Sequence, residues 1–504
     1  MRSPSSAPDP IKVYDARWEE GEFSDKEIAR LFEAAILYGK GLGVDTISIS
    51  RDARLGAAAV MEIGVATALR AGLEVVLCTD PISTPQSYYL AALTSQRKPG
   101  TMGFTVTASH NPGRYVGLKL TVPTVRAVGL DSGPHGGLTR VRELYHGRER
   151  LPNGARGRLT LVDPAEGYLE ESLAAAGVRH GALSGVSVVL DASNGSAGTE
   201  IYRALDSGGA SVTALRLIPD GRFPAGSPNP TSRGKMDEAV ERAKGTRGSV
   251  VVVGVDGDGD RLVFGDSRGI LDAGFAAIAL LEGDPLLRGA SKPVPALFDP
   301  KVNPIALEEW GRFPVRPVLF RNGHSQIKDY MVAIGACFGA EESGHYYHRL
   351  RYGSVDVNAE NSIVTVLRFL GSVAARPELM DRLRELQGRV YSTGEVNYQL
   401  DGDEEVADAL AEIVRVLEAD GASSASATSD GIDLGGTQIS KGVRLDPGRV
   451  RLEPGWYSGY VRSATNEKAV LRSFFSAGEA GTGTKILGRL VELLEGRYHG
   501  RKVE

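Results

Sequence analysis

Short runs of aliphatic and β-branched residues alternate, from about residue 11 to about residue 300, with segments whose apolar positions recur at helical spacing. This pattern predicts strands at 46–50, 74–78, 186–191, 211–217 and 249–255, and helices at 55–71, 198–206 and 235–244. Further along it predicts strands at 296–298 and 337–338 and a helix over 361–374. Alternating strands and helices are typical of α/β domains with mainly parallel sheets.

Breaks in this pattern divide the chain into four predicted domains, at residues 11–160, 161–270, 271–388 and 389–504. A stretch rich in Gly, Arg and Pro at 129–157 predicts an irregular surface segment that closes the first domain. The Ser/Ala/Thr-rich residues 422–430 predict a mobile loop inside the fourth domain. A chain of 504 residues is long enough for several packed cores.

Composition and charge exclude several classes of function. The net charge of −5 predicts no general affinity for nucleic acid or for anionic membranes. Cys78 and Cys337 are the two cysteines, and their wide separation predicts neither a disulfide framework nor a metal cluster. The Ser/Pro-rich N-terminus lacks the apolar stretch of a signal peptide, and the apolar runs are too short to span a bilayer. We therefore expect a cytoplasmic protein.

The first candidate site is a serine on a turn that follows a predicted strand at 103–107. The chain turns there through Thr107-Ala108-Ser109-His110-Asn111-Pro112. Asn followed by Pro and Gly favours a tight turn, which would present Ser109 and His110 to a cleft. Taken alone, the pattern fits either a reactive serine or an ordinary turn serine. The Gly-x-Ser-x-Gly elbow of serine hydrolases is absent around Ser109.

A second motif places three carboxylates directly after an apolar strand. Asp256, Asp258 and Asp260 alternate with glycines, and Arg261 follows them. Three like charges this close need a cation, and their spacing lets the oxygens converge on one hard metal ion. An EF-hand is excluded because Arg261 stands where Gly is needed and Ser267 where Glu is needed. A metal beside an arginine is typical of phosphoryl transfer.

Two further polar loops complete the candidate set. In the loop at 339–345, Glu341, Ser343 and His345 offer a carboxylate, a hydroxyl and an imidazole suited to sugar hydroxyls. Taken alone, this pattern fits a polar loop without a functional role equally well. Near the C-terminus, Arg462 begins a run of small polar residues. An arginine surrounded by hydroxyls and backbone N–H groups predicts a phosphate cradle.

In their order and spacing, these four motifs resemble those of the α-D-phosphohexomutase superfamily, above all its bacterial phosphomannomutase/phosphoglucomutase branch. The resemblance extends from about residue 11 to the C-terminus. It implies an α/β fold of four domains around a central cleft. Three of these would be related α/β domains, and the fourth a smaller α+β C-terminal domain.

The resemblance also implies an isomerase that interconverts a hexose 6-phosphate and a hexose 1-phosphate, of glucose or mannose. The phosphoryl group would pass through a phosphoserine at Ser109 and a bisphosphorylated sugar. The implied metal is Mg²⁺, held by Ser109, Asp256, Asp258 and Asp260. A sugar bisphosphate is the implied activator. The implied partner is a small phosphosugar, bound by a monomer or a weak homodimer.

Individual positions take their roles from the same resemblance. The residues that match catalytic positions are Ser109, Arg17, His110, Lys119, Arg261 and His324. The residues that match substrate-binding positions are Lys301, Glu341, Ser343, His345, Arg462, Ser463, Thr465 and Asn466. Among them, Lys119 and His324 are the implied candidates for the general acid and base.

The last loop departs from the family pattern. Phosphomannomutase-like members usually read Arg-Ala-Ser-Asn-Thr there, whereas this chain reads Arg462-Ser463-Ala464-Thr465-Asn466. The change leaves the expected chemistry at Ser109 intact and puts the substrate in question. Three alternatives stay open: a mutase for another phosphorylated sugar or cyclitol, such as an amino sugar or a pentose; a catalytically inactive sugar-phosphate binder; and a metal-dependent phosphatase.

Overall fold

The computed structural model describes residues 9–246, 250–446, 449–464 and 467–503. In these residues four β-sheets follow one another along the chain, each with its own helices. Three sheets are mixed and the fourth is antiparallel, which confirms the predicted four-domain α/β architecture. Where one domain passes into the next stays a prediction. Within the described residues, the helices are all too short or too polar to cross a membrane.

The first sheet has a parallel centre and antiparallel strands at one side. Its strands are β1 (Ala16–Glu19), β2 (Thr46–Arg51), β3 (Glu74–Pro81), β4 (Thr101–Val106), β5 (Tyr115–Val122), β6 (Arg126–Ala127) and β7 (Leu159–Leu161). The spatial order is β1-β5-β4-β2-β3-β7, with β6 beside β5. Its helices are α1 (Asp25–Lys40), α2 (Ala57–Arg70), α3 (Thr84–Arg97) and α4 (Gly137–His146).

The helix α4 corrects the prediction of an irregular segment at 129–157. Leu138, Val141 and Leu144 recur at helical spacing in this segment and are buried against the first sheet's core. Three nearby glycines, Gly133, Gly136 and Gly137, have positive φ and form the turn that precedes the helix. The composition of that turn obscured the apolar face behind it, and burial of this face stabilises the helix.

The second sheet repeats the same arrangement on a smaller scale. Its strands are β8 (Ser187–Asp191), β9 (Ser211–Leu215), β10 (Val250–Val255), β11 (Leu262–Asp266) and β12 (Gly269–Ile270), in the order β12-β11-β10-β8-β9. The helices of this unit are α5 (Ala165–Ala176), α6 (Gly198–Gly208) and α7 (Asp237–Lys244). Strand β10 is buried at every position, as expected for a strand covered on both faces.

The third sheet follows without a long linker. Its strands are β13 (Val294–Phe298), β14 (Val315–Leu319), β15 (Phe338–Ala340), β16 (Tyr346–Tyr352) and β17 (Val355–Glu360), in the order β14-β13-β15-β16-β17. Its helices are α8 (Ala273–Gly283), α9 (Pro304–Trp310), α10 (His324–Ile334), α11 (Ser362–Ala375) and α12 (Leu379–Gly388). The second and third units share one core, in which the rings of Phe264 and Phe369 stack 4.0 Å apart.

The fourth sheet is antiparallel throughout. Its strands are β18 (Tyr391–Gln399), β19 (Ser423–Ala427), β20 (Asp433–Asp446), β21 (Arg449–Ser463), β22 (Val470–Ala477) and β23 (Arg501–Val503). They are arranged in the order β19-β20-β21-β22-β18-β23, and helices α13 (Asp403–Ala419) and α14 (Ala480–Val491) accompany them. Strand β19 corrects the prediction of a mobile loop at 422–430. Its small polar residues form a strand because they pair with β20.

Candidate active site

Each of the four sheets contributes one loop at or near the end of a strand. The serine loop follows β4, the three aspartates follow β10, and the loop containing Glu341 follows β15. Arg462 lies at the end of β21. Ligand-binding crevices of open α/β sheets form outside the carboxyl ends of parallel strands, and the first three loops occupy such ends.

The serine loop holds Ser109 in a strained conformation. Ser109 is buried and has a φ of 54°, in the left-handed region that residues other than glycine rarely adopt. Its backbone N–H donates to Oγ1 of Thr107 over 2.9 Å, and its own Oγ lies 3.1 Å from Nδ1 of His110. Strain of this kind persists where the surroundings fix it, and it concentrates at functional sites.

Arg54 is what fixes this loop, and the sequence motifs gave no sign of it. Its side chain is buried, and it forms an ion pair with Asp52 over 3.0 Å. The guanidinium donates to four backbone carbonyls, those of Ser109 (2.6 Å), Asn111 (2.7 Å), Pro112 (2.7 Å) and Tyr115 (3.0 Å). A planar guanidinium with five donors can satisfy such a turn, whereas an ammonium cannot span it.

The acidic loop brings its three carboxylates together. Asp256, Asp258 and Asp260 are buried, and each offers an oxygen within 4.8 Å of those of the other two. Oδ1 of Asp258 and Oδ1 of Asp260 have no hydrogen-bond partner within the described ranges. Burial, followed by the charges of Asp258 and Asp260, raises the pKa of Asp256 well above its ordinary value. Buried oxygens without partners in a hard, all-oxygen donor set fit a divalent cation such as Mg²⁺.

The serine and the acidic loop are in contact. Oγ of Ser109 lies 3.4 Å from Oδ2 of Asp256. The two glycines between the aspartates permit this approach. A Cβ on Gly257 would lie 2.9 Å from the carbonyl oxygen of Ser109, and a Cβ on Gly259, whose φ is +78°, would lie 2.4 Å from Cβ of Ala197. The alternation of Asp and Gly is therefore required by packing as well as by cation binding.

Lys119 enters this cluster from β5. Its Nζ lies 2.7 Å from Oδ2 of Asp258 and 2.5 Å from Oδ2 of Asp260. Burial opposes the charge of the ammonium, but the two carboxylates outweigh burial and raise the pKa of Lys119 well above its ordinary value. Lys119 is therefore a fixed, protonated group beside the acidic loop.

A backbone contact joins the acidic loop to the loop of the third sheet. The N–H of Leu262 donates to the carbonyl of Gly344 over 2.8 Å. Nε of Arg261 donates to Nε2 of His345 over 3.1 Å. Because an arginine cannot accept a hydrogen bond, Nε2 is the acceptor nitrogen of His345, and a neutral His345 carries its proton on Nδ1.

Nδ1 of His345 faces a second residue that the motifs did not indicate. It lies 3.3 Å from Oε1 of Glu360, at the end of β17. The other oxygen of Glu360 forms a buried ion pair with Lys328 over 2.8 Å. Burial would raise the pKa of Glu360, but Lys328 outweighs it and holds the pKa well below its ordinary value. Glu360 is therefore a carboxylate that lies beside His345.

Glu341 and Ser343 differ in their surroundings. The carboxylate of Glu341 is buried and accepts from the N–H of Gly323 over 2.9 Å and from the hydroxyl of Tyr347. Ser343 is half-buried in the same loop. The neighbouring Glu342 caps the start of α8 instead, because its oxygens accept from the N–H groups of Ala273 and Gly274. The two adjacent glutamates therefore bind different elements, Glu341 near the start of α10 and Glu342 at the start of α8.

Arg17 and His324 meet at Asp15. Arg17 pairs with Asp15 over 2.8 Å and donates to Oδ1 of Asn111, in the serine loop, over 2.9 Å. Nε2 of His324 lies 3.6 Å from Oδ2 of Asp15, beyond hydrogen-bonding distance. Neither ring nitrogen of His324 has a hydrogen-bond partner among the described residues. Burial lowers the pKa of His324 to about 4, so its imidazole is neutral near pH 7.

Arg462 lies at the other side of the cleft. It lines a cavity of about 100 Å³ together with Tyr14, Arg321, Asn322 and Tyr460. Arg321 was not indicated by the motifs, and it pairs with Asp131 over 2.7 Å. The cavity gathers two arginines and the phenol of Tyr14, a donor set suited to an anion, whereas the hydroxyl of Tyr460 donates to the carbonyl of Leu434 over 2.7 Å.

The remaining sequence-predicted residues do not line this cavity or lie beyond the described ranges. Lys301 lies 3.5 Å from Glu395 of β18. Ser463 is exposed. Thr465 and Asn466 lie outside the described residues. The structure thus brings Ser109, His110, the three aspartates, Lys119, Arg261 and His345 into one connected cluster, and it places Lys301 and Arg462 nearer the fourth sheet.

Comparison with known proteins agrees with this geometry. The chain matches the phosphoglucomutase/phosphomannomutase α/β/α domain I over residues 11–128, domain II over 166–269 and domain III over 300–390. It is 30% identical over 353 residues to the phosphomannomutase of Salmonella montevideo, covering 67% of this chain and 72% of that protein. The chain belongs to the phosphoglucomutase/phosphomannomutase family. The predictions of a phosphohexomutase superfamily member and of an enzyme of that type are confirmed.

Other family members match over more of the chain. The phosphomannomutase/phosphoglucomutase of Pseudomonas putida is 26% identical over 419 residues, covering 81% of this chain and 84% of the relative. A crystal structure of a phosphoglucomutase/phosphomannomutase family protein from Burkholderia thailandensis superposes with a TM-score of 0.76 at 22% identity, covering 97% of both chains. At that identity the superposition supports the shared fold.

Proposed function

We propose that this enzyme is a hexose phosphate mutase that carries the migrating phosphoryl group on Ser109. The observation that carries the proposal is the contact between Oγ of Ser109 and Oδ2 of Asp256, at 3.4 Å. A hydroxyl that touches a buried acidic cluster is placed for phosphoryl transfer, since a cation held there lies next to the oxygen that bears phosphate.

Asp256, Asp258 and Asp260 would hold Mg²⁺, with phosphorylated Ser109 as a further ligand. When bound, the cation offsets negative charge on the phosphoryl oxygens during transfer. Arg261 directly follows these three aspartates, the acidic triad, and its backbone N–H donates to Oδ1 of Asp256 over 3.1 Å. This contact fixes the loop, and the guanidinium supplies a second positive charge at the same place.

His324 and Lys119 act as base and acid in the first half of the reaction. A sugar hydroxyl attacks the phosphorus of phosphorylated Ser109, and its proton passes to His324, which is neutral because burial lowers its pKa to about 4. The bond between phosphorus and Oγ breaks, and the leaving oxygen takes a proton from the ammonium of Lys119. The product is a bisphosphorylated sugar, which turns over in the cleft and returns its other phosphoryl group to Ser109.

The cavity at Arg462 and Arg321 holds the phosphate that is not being transferred. Tyr14 adds a hydroxyl to the two guanidinium groups, so the site recognises the phosphate group by charge and hydrogen bonding, and not the sugar carbon that carries it. This suits a reaction in which the 1-phosphate and the 6-phosphate occupy the site in turn. Glu341, Ser343 and His345 read the sugar hydroxyls, and a free sugar bisphosphate restores phosphate to Ser109 when it is lost.

The experiment is phosphorus NMR of the purified enzyme with Mg²⁺, a trace of glucose 1,6-bisphosphate, and the 1-phosphates of glucose, mannose, glucosamine and ribose in separate runs. We expect the 6-phosphate to appear from glucose or mannose 1-phosphate. Faster migration on the glucosamine or ribose compound would instead assign a different sugar to the same chemistry. Release of inorganic phosphate without migration would identify a phosphatase.

Two serine variants provide the matched comparison. Ser109→Ala should abolish migration, whereas Ser184→Ala, at an exposed serine of the second unit, should leave the rate unchanged. A fully active Ser109→Ala variant would refute the proposal. Absence of migration on every sugar phosphate in the wild-type protein would favour an inactive binder.

We also propose a cytoplasmic location, domain boundaries near residues 160, 270 and 388, and a monomer or weak dimer.

A further inference from the structure

A cavity of about 490 Å³ lies between the first and third units, apart from the proposed active site. Its walls come from the end of α3, the segment 123–127 next to β6, helix α10, and the turn between β16 and β17. Within the described ranges, none of the residues assigned above to catalysis, metal or substrate lines it. A volume of this size is typical of a site for a small organic ligand.

Two buried polar atoms in this cavity lack partners. Ser95 is only 7% exposed, and its Oγ has no hydrogen-bond partner within the part of the chain that the structure describes. Oδ1 of the half-buried Asn358, which also lines the cavity, likewise has no partner among the described residues. Buried polar groups are nearly always satisfied, because leaving one without a partner costs free energy. Two such groups on one cavity indicate a polar ligand.

Backbone strain occurs on the same wall. Thr124 and Val125 line the cavity with φ values of 68° and 57°. A β-branched residue at positive φ is a true outlier, and two in succession are costly. Strain that the fold maintains is characteristic of ligand clamps. This segment is therefore a third feature that points to the same cavity.

The charges at the cavity favour an anion. Arg349 is exposed at its mouth and forms no ion pair with any described carboxylate. The other charged residues that line it are paired elsewhere: Arg126 with Asp329, Lys328 with Glu360, and Asp356 with Arg351. Among the described residues that line the cavity, Arg349 is thus the cation available to a ligand.

Apolar side chains form the remainder of the lining. Val332 is exposed, and it lines the cavity together with the buried Met331 and Ala336. A ligand body that covers these groups would remove apolar surface from water.

We propose that this cavity binds a small organic acid, with its carboxylate on Arg349, a polar group within reach of Ser95 and Asn358, and an apolar body against Met331 and Val332. Because the walls belong to two units, a bound acid would hold these units together. Lys328 separates the cavity from the cleft: it lines the cavity, and its partner Glu360 lies beside His345.

The test is ligand-observed NMR and thermal denaturation of the full-length protein with 4-phenylbutyrate as the probe and 4-phenylbutyramide as its uncharged counterpart. We expect saturable binding of the acid and a rise in the melting temperature with its concentration. Arg349→Gln should weaken binding of the acid about tenfold, as expected for loss of one ion pair, and should leave binding of the amide unchanged. Arg415→Gln, at an exposed arginine of α13, is the matched control.

A second experiment fills the cavity with a larger side chain. Ser95→Leu should abolish binding of both probes, while Ser95→Ala should not lower the melting temperature, because it removes a hydroxyl that has no partner. Glucose 6-phosphate, which enters the cleft, should not displace the acid. Lack of saturable binding to the wild-type protein, binding unaffected by Ser95→Leu, or displacement by glucose 6-phosphate would overturn the proposal. Binding and melting temperature are measured without turnover, so their outcome does not depend on whether the proposed mutase activity is correct.

Discussion

Nζ of Lys119 lies 2.7 Å from Oδ2 of Asp258, so a lysine from the first sheet is bound directly to the acidic loop of the second. Both groups are buried, and Asp260 completes the contact at 2.5 Å. This arrangement offsets part of the charge of the triad. It also leaves one oxygen each of Asp258 and Asp260 for a metal, because the lysine uses the other.

Replacing Lys119 with methionine tests this division of roles. Lys119→Met leaves buried carboxylates without their partner, so the metal-free protein should lose about 3–5 kcal/mol of stability. Mg²⁺ should restore much of that loss, because it supplies the missing positive charge. The mutase rate should still fall by about 100-fold or more through loss of the acid. Melting curves in EDTA and in Mg²⁺ measure the first effect.

The control for that variant is Lys40→Met, at the exposed end of α1, which should change neither stability nor rate. A Lys119→Met protein that melts at the wild-type temperature in EDTA would show that the lysine does not stabilise the triad.

Arg54→Lys tests the guanidinium that holds the serine loop. The four carbonyl contacts require a planar fork, so lysine should fail to replace it in spite of its charge. We expect a stability loss of about 2–4 kcal/mol, measured by urea denaturation, and a large fall in kcat. As a control, Arg203→Lys, at an exposed arginine, should change neither the stability nor kcat. Wild-type activity in Arg54→Lys would mean that the loop holds its own conformation.

Glu200 predicts a pH dependence of stability away from the metal loop. Burial raises its pKa from 4.5 to about 8, although Ser83 donates to its carboxylate over 2.7 Å. The folded protein therefore keeps a proton that the unfolded chain releases above pH 4.5, and folding loses stability as the pH rises from there towards 8.

Glu200→Gln removes this dependence. Glutamine imitates the protonated acid, so the variant should gain on the order of 2 kcal/mol over the wild type at pH 8 and little at pH 4.5. Denaturation across this range measures the difference, with the exposed Glu166→Gln as the control. A constant difference between variant and wild type over the whole range would contradict the raised pKa.

The sequence predicted the parts of the site that lie on continuous segments. The three aspartates and Arg261 share one loop, and Ser109 and His110 share another, so their spacing alone carries the chemistry. Strand β10 was visible because its valines are buried on both faces. These features depend on residues that are close together in the sequence, so the local pattern of residue types is enough to predict them.

Contacts between residues far apart in the sequence could not be predicted from local patterns. Arg54 is 55 residues from Ser109, and nothing near it in the sequence indicates that its guanidinium reaches four carbonyls. Glu360 and Arg321 likewise acquire their roles from the packing of separate elements. Helix α4 and strand β19 were missed for a related reason, since burial and strand pairing override a composition typical of loops.

The most direct test of the central claim is peptide mass spectrometry of the protein after incubation with glucose 1,6-bisphosphate and Mg²⁺. We predict one phosphoryl group on the peptide that contains Ser109. When that group carries an 18O label and unlabelled glucose 1-phosphate is then added, the label should pass to glucose 6-phosphate while Ser109 stays phosphorylated. Mutase turnover with Ser109 unmodified, or with the phosphoryl group on another residue, would contradict the account.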